Sequence, residues 1–236
     1  MASSKTEVGA PSQGQPTSSA ANSWRSELSQ IPIWYASYGS NMCEKRFSCY
    51  IEGGKVDGMI NPCPGSKDPT LPSEKLWRHF PCRLFFGRES TITWGPGGVA
   101  FILPETSSED TTRMCLYKIS LEQFNDVLLQ ENGHKDMDNV ESAYFDQTHL
   151  DAIRTEEFKS THVTGRWYGN VVYLGEEENI PILTLTCAPQ YIEDFKSEEP
   201  NTPLRAPGDA YKNTLIQGLV EEARDYIDKS AGKRPL

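Results

Sequence analysis

Two stretches of this 236-residue chain combine residue types and spacings that could do chemistry. The first is Gly39-Ser40-Asn41, a small polar turn directly after the apolar run Ile33-Trp34-Tyr35-Ala36-Ser37-Tyr38. Gly adopts backbone angles closed to other residues, and Ser and Asn hydrogen-bond locally. Such a turn can aim successive backbone N–H groups at an anion or a carbonyl oxygen; a plain β-turn has the same composition. The second is Glu131, at the end of the helical pattern Leu121 to Glu131. At about 100° per residue it falls within roughly 80° of Leu121, on the face marked by Leu121, Phe124 and Leu128. Partial burial and the negative end of the helix dipole both disfavour its charged form there. Its pKa is thereby raised toward the range in which a carboxylate takes and returns protons near neutral pH. The alternative is a last-turn Glu that swings out to solvent.

Other candidates offer less geometry. His79, His134, His149 and His162 are scattered, with no His-x-x-x-His spacing. The six cysteines (Cys43, Cys49, Cys63, Cys82, Cys115, Cys187) form no Cys-x-x-Cys pair and no zinc-knuckle pattern with a nearby His. Nothing local marks one of them as a thiol nucleophile. Glu176-Glu177-Glu178 reads as a solvated turn. Gly97-Gly98 reads as a hairpin device and not a phosphate cradle, because no helix with Lys-Ser/Thr follows it.

The elements that must position the turn and the carboxylate follow from periodicity and punctuation. A strand precedes the turn, and Cys43 to Tyr50 suits one or two helical turns. Gly53 to Leu71, rich in Gly and Pro, reads as an irregular excursion, of the kind that often forms lids or binding elements. Cys82–Phe86, Thr91–Trp94 and Val99–Leu103 read as strands, and Met114–Ile119 as the hairpin partner of Val99–Leu103. Ser120 caps the Leu121–Glu131 helix, with Gln123 completing a capping box, and Asn132-Gly133 stops it. Strands return between Gly165 and Thr186, at Val171–Leu174 and Ile182–Thr186. A last helix runs from about Asp209 to Asp228, with Leu215, Leu219, Ala223 and Ile227 as its apolar stripe. Strands dominate the centre and two or three helices flank them, so the class is α+β.

Composition bounds the function. Residues 1–23 are Ser, Gly, Gln, Pro and Thr with little to bury, and read as a disordered tail before a single domain over 24–236. A net charge of −10 argues against nucleic acid or an anionic membrane surface as partner. No apolar run is long enough to span a bilayer. The N-terminus lacks the apolar segment of a secretion signal, and Glu7 and the scarcity of Arg there argue against an organelle transit peptide. Scattered thiols then fit a reducing cytoplasmic setting.

Tyr38-Gly39-Ser40-Asn41-Met42 resembles the Tyr-Gly-Ser-Asn-(Leu/Met) signature that follows the first strand of the γ-glutamylcyclotransferase-like family. Trp94 with Gly97-Gly98-Val99-Ala100 is similar to that family's strand entry, and Leu128-Leu129-Gln130-Glu131 to its Leu-Asp-x-x-Glu-Gly segment. Ala188-Pro189-Gln190-Tyr191 and Ala206-Pro207-Gly208-Asp209-Ala210-Tyr211 resemble its late segment before the last helix. The chain departs from the pattern at Leu129, at Asn132 between Glu131 and Gly133, and in the length of Gly53–Leu71. The resemblance implies a small mixed β-barrel or sheet flanked by a few helices. It also implies an enzyme that cyclises a γ-glutamyl amide or peptide to 5-oxoproline, releasing the amine, in the chemistry of glutathione metabolism. Glu131 is then the catalytic acid/base, and Tyr38, Gly39, Ser40, Asn41, Met42 and Tyr191 bind substrate. That reaction calls for no metal and no cofactor. The implied partner is a small γ-glutamyl molecule, for a monomer or homodimer. Two alternatives stay open: a related enzyme processing another small-molecule amide, and a non-catalytic ligand-binding protein on the same fold.

Overall fold

The apolar run at residues 33–38 folds at the heart of a sheet. In the computed structural model, which describes residues 23–88, 93–164, 167–196 and 204–232, helix α1 (Ser23–Leu28) leads into strand β1 (Pro32–Ser37). A single 3-10 turn (Ser40–Met42) and helix α2 (Glu44–Glu52) follow, then strands β2 (Lys75–Phe80), β3 (Leu84–Gly87), β4 (Val99–Ile102) and β5 (Thr112–Ser120). Helices α3 (Leu121–Glu131) and α4 (Gln147–Ile153) precede strands β6 (Ser160–His162), β7 (Asn170–Glu177) and β8 (Ile180–Thr186). Helices α5 (Pro189–Lys196) and α6 (Asp209–Ser230) complete the order. The architecture is α+β. A six-stranded mixed sheet runs β2-β5-β1-β8-β7-β6, and β3-β4 form a separate two-stranded sheet. Residues 1–22, Thr91, Ile92, Gly165 and Pro200 lie outside the described residues, and with them the expected tail and part of one expected strand.

β1 is central and buried on both faces, and alternation sends successive side chains to two cores. Ile33 and Tyr35 join α2, α3 and α4 through Phe47, Phe124 and Leu150. Trp34, Ala36 and Tyr38 join the β3-β4 hairpin through Phe85 and Phe101. β1 pairs antiparallel with β5 (Tyr35 opposite Tyr117) and parallel with β8 (Tyr35 opposite Leu183). The carboxyl ends of the parallel pair therefore open at the same rim, where the chain turns at Gly39.

α3 begins as its sequence dictates. Ser120 Oγ accepts from the Gln123 N–H, and the Gln123 side chain accepts from the Ser120 N–H at 3.1 Å. The Gly53–Leu71 excursion contains no strand or helix, yet side chains of α3 hold it. Gln123 donates to the carbonyls of Asp68 and Thr70, Asp126 accepts from the Lys67 N–H, and Gln130 accepts from the Gly65 N–H. Residues 65–70 thus form a strap along α3, while the Ile60 N–H donates to the Thr93 carbonyl at 2.8 Å.

Three expectations are corrected. β4 pairs with β3 and not with β5, because both edges of the long β5 are taken by β1 and β2. Thr93 and Trp94 form a turn and not a strand. The buried face of α6 is Tyr211, Thr214 and Gly218, with Leu215 and Leu219 half-buried beside them, whereas Ala223 and Ile227 are exposed because the second half of α6 leaves the core.

Candidate active site

The turn after β1 and the last residue of α3 meet in one cavity of about 90 Å³. Tyr38, Gly39, Ser40, Asn41 and Glu131 line it. Asn41 sits in the 3-10 turn, 5% exposed, and its Nδ2 donates to Glu131 Oε1 at 2.9 Å and toward the Tyr35 hydroxyl at 3.3 Å. Its Oδ1 is buried and has no partner. The half-buried Glu131 has a raised pKa. Burial is the main cause, and the Arg46 charge and the hydrogen bonds from Asn41 and Tyr50 oppose it without cancelling it.

Arg46 of α2, 2% exposed, is the cation of the site. Its Nη2 donates to the Tyr50 hydroxyl at 2.8 Å and its Nη1 to Cys63 Sγ at 3.3 Å, while Nε has no partner. The guanidinium stacks over the rings of Tyr50 and Trp94, 4.2 and 5.7 Å from their centroids. The Tyr50 hydroxyl turns toward Glu131 in its own right, so it stands between the two charges. Arg46 and Tyr50 lie one helical turn apart, which puts both on the face of α2 that looks at the end of α3.

Tyr211, in the first turn of α6, closes the cavity beside the turn. Its hydroxyl oxygen accepts from the Ala100 N–H at 3.1 Å, and the Ser40 N–H also points at it. A Cβ on residue 39 would stand 2.6 Å from that oxygen, so glycine is what allows the approach. On the other side, a Cβ at Gly98 would stand 2.2 Å from the Arg205 carbonyl, and the Gly98 N–H donates to Ala206 at 2.9 Å. Gly98 thus lets the segment leading to Tyr211 lie flat against β4. Tyr168 completes the wall. Its hydroxyl donates to the Ala100 carbonyl at 2.9 Å, and Asn132 holds its backbone through the Tyr168 N–H and carbonyl. The Asn that departs from the expected Glu-Gly pattern is therefore a helix cap that also fixes a cavity wall.

Two expected binding residues fall elsewhere. Met42 packs in the core, where Gly218 of α6 meets it and its carbonyl accepts from the Tyr117 hydroxyl. Tyr191 stacks on the Arg88 guanidinium at 4.0 Å, and Arg88 in turn lies over Trp167, a wall of the cavity. Tyr191 is one layer removed, because α5 carries it past the rim. Tyr38 does line the cavity, but its hydroxyl donates to the Leu185 carbonyl and is not free for a ligand. No residue of the 53–71 excursion lines the cavity. Sequence reasoning missed Arg46, Tyr50, Tyr168 and Trp167. Arg46 sits in Glu44-Lys45-Arg46, where nothing local distinguishes one charge from the next. Tyr211 stands in one of the segments that carry the resemblance, but nothing local gives it a role.

No family model matches the chain. The chain is similar to a protein of Arabidopsis thaliana named "Histone deacetylase 5", 51% identical over 222 residues. That match covers 91% of this chain and 33% of the relative, so the chain spans about a third of the relative's length. Among solved structures it is similar to one described as "Gamma-glutamyl cyclotransferase", 16% identical, covering 87% of this chain and 90% of that one with a TM-score of 0.44. It is also similar to a crystal structure of an uncharacterized protein from Homo sapiens, 15% identical, covering 88% and 90% with a TM-score of 0.43.

Proposed function

We propose that this chain is a γ-glutamylcyclotransferase-like enzyme, which closes a γ-glutamyl amide to 5-oxoproline and expels the amine. One observation carries the reading. The carboxylate of raised pKa at the end of α3 is held by the Asn of the turn after β1, in a cavity whose other charge is a buried arginine. A γ-glutamyl amide brings its own nucleophile, the α-amine, to within a few bonds of the γ-carbonyl. Holding it folded lowers the entropic barrier to ring closure. Glu131 takes a proton from the α-ammonium, and the nitrogen lone pair attacks the γ-carbonyl carbon as the carbonyl π pair moves to oxygen. The C–N bond to the leaving group then breaks as the carbonyl re-forms. In all, two protons pass from the α-nitrogen to the leaving nitrogen, carried by Glu131 one at a time. The positive charge of Arg46 suits a cavity that must receive the substrate's α-carboxylate. The deacetylase activity in the longer relative's name belongs to a protein three times the length of the matched region and is not assigned to these residues.

The test is 5-oxoproline release from a panel of γ-glutamyl peptides and amines, followed by mass spectrometry beside Glu131→Gln. The wild type is expected to form product and the variant to fall by roughly 10²–10⁴-fold, the usual weight of a general acid/base. Equal product from both proteins removes Glu131 from its role. Product from neither leaves a different small-molecule amide, or a ligand-binding function, as the reading.

A further inference from the structure

We propose that the Tyr211 hydroxyl, and not the Ser40 backbone N–H of the turn after β1, donates the hydrogen bond that receives the negative charge developing on the substrate's γ-carbonyl oxygen. The inference rests on the γ-glutamyl reading of the site. A phenol has one proton and two acceptor lone pairs. At Tyr211 two backbone donors face the oxygen, Ala100 N–H at 3.1 Å from one side and Ser40 N–H from the other. With its lone pairs so engaged, the O–H must turn away from both amides. Among the described residues it meets no acceptor, and Tyr211 lines the cavity that holds Glu131. The sequence predicts a turn that aims its own amides at an anion or a carbonyl oxygen. Instead the Ser40 amide is spent on Tyr211, and the glycine at 39 is what admits the phenol oxygen to that position.

The arrangement has the properties of a preorganised donor. The ring is 4% exposed and packs edge-on against Trp94 at 5.5 Å between centroids, so the oxygen has little freedom to move. Two amide donors polarise the O–H through the shared oxygen, which strengthens the bond it gives. Burial pushes the phenol up to about 12, with the two amides pulling the other way, so the hydroxyl keeps its proton near neutral pH. No proton transfer is involved. As the α-nitrogen forms its bond to the γ-carbon, the carbonyl π pair moves to oxygen and the Tyr211 hydrogen bond shortens. When the leaving C–N bond breaks, the pair returns and the bond relaxes.

The test uses the carbonyl itself as reporter. 5-Oxoproline labelled with ¹³C at the ring carbonyl is bound to the full chain, and its stretch is read by isotope-edited infrared difference spectroscopy in wild type and Tyr211→Phe. The wild type is expected to lower the frequency relative to water, and the variant to lose that shift while still binding. In turnover, Tyr211→Phe is expected to lower kcat by about 10²–10³-fold, the cost of one oxyanion donor, with KM changed little. Because Phe removes the oxygen that the Ala100 and Ser40 N–H groups both face, 3,5-difluorotyrosine at position 211 serves as the second variant. It keeps the oxygen, donates more strongly, and is expected to lower the carbonyl frequency further. The inference alone is overturned if the stretch is the same in all three proteins while Glu131→Gln still abolishes 5-oxoproline release. If the labelled lactam does not bind the wild type, the inference and the γ-glutamyl reading fall together.

Discussion

Helix α3 carries a buried arginine–carboxylate cluster at each end, and the two are built to different rules. Near its start, Arg25 of α1 reaches Glu122 at 2.8 Å and both oxygens of Asp126 at 3.0 Å, and it also donates to the Met137 carbonyl at 2.9 Å. Asp126 receives the Lys67 N–H as well. That cluster holds two carboxylates around one cation and leaves little hydrogen-bonding capacity to a newcomer. At the other end Glu131 receives an amide from Asn41 and faces the Tyr50 hydroxyl, while Arg46 stacks on two rings and keeps Nε without a partner. The first cluster fastens α1 and the 65–70 strap to the helix. The second keeps a charge of each sign close together without closing them on each other, which is a condition for binding and proton transfer. Burial of charge alone does not mark a site; unsatisfied capacity at a cavity does.

The sharpest way to break this contrast is to remove each cation in turn. Arg25→Met leaves Glu122 and Asp126 buried without their counter-charge, and is expected to cost about 3–5 kcal/mol of stability by urea unfolding. The kcat of the remaining folded protein is expected to stay unchanged. Arg46→Met is expected to act on function as well as on stability. Because the Arg46 charge holds the Glu131 pKa down, the acid limb of the pH–kcat profile is expected to move to higher pH. If Arg25→Met unfolds at the wild-type urea concentration, or Arg46→Met keeps the wild-type limb, the distinction between the two clusters fails.

A smaller effect sharpens the same point by linkage. Glu131 has a folded pKa above its unfolded value of 4.5, so the folded state binds its proton more tightly. Its contribution to stability is therefore complete below the unfolded value and is lost as pH rises through the folded one. Glu131→Gln is expected to gain on the wild type as pH rises from 4 to 8. The gain is read as a difference in Tm between the two proteins that widens with pH. A thermal shift independent of pH would show that Glu131 titrates as an ordinary surface carboxylate.

Helix α3 was legible residue by residue. Its cap and its stop at Asn132-Gly133 follow from interactions within a few turns, and the helical period places Glu131 on the buried face while leaving open a swing to solvent that only packing decides. α4 had a comparable signal, a capping box between Asp146 and His149, but only 7 helical residues behind it. β2 was missed because Lys75, Arg78 and His79 break its alternation; as the sheet's edge strand it tolerates them. The pairing of β4 was misread because sequence order favours neighbours, and the loop after Pro104 is long enough to carry β5 into the other sheet.

By itself the sequence determined the strand–turn that ends in Asn41 and the helix face that carries Glu131, because strand alternation, helical period and capping act over a few residues. Only the tertiary structure decided that these two, 90 residues apart, share a hydrogen bond, and that a tyrosine 111 residues from Ala100 brings its oxygen to that backbone. It likewise decided that Arg46 faces inward. Nothing in Glu44-Lys45-Arg46 chooses which charge is buried. The choice is made by tertiary packing, in which the end of α3 supplies the carboxylate and Trp94 joins Tyr50 of α2 in supplying the aromatic faces that an interior guanidinium needs.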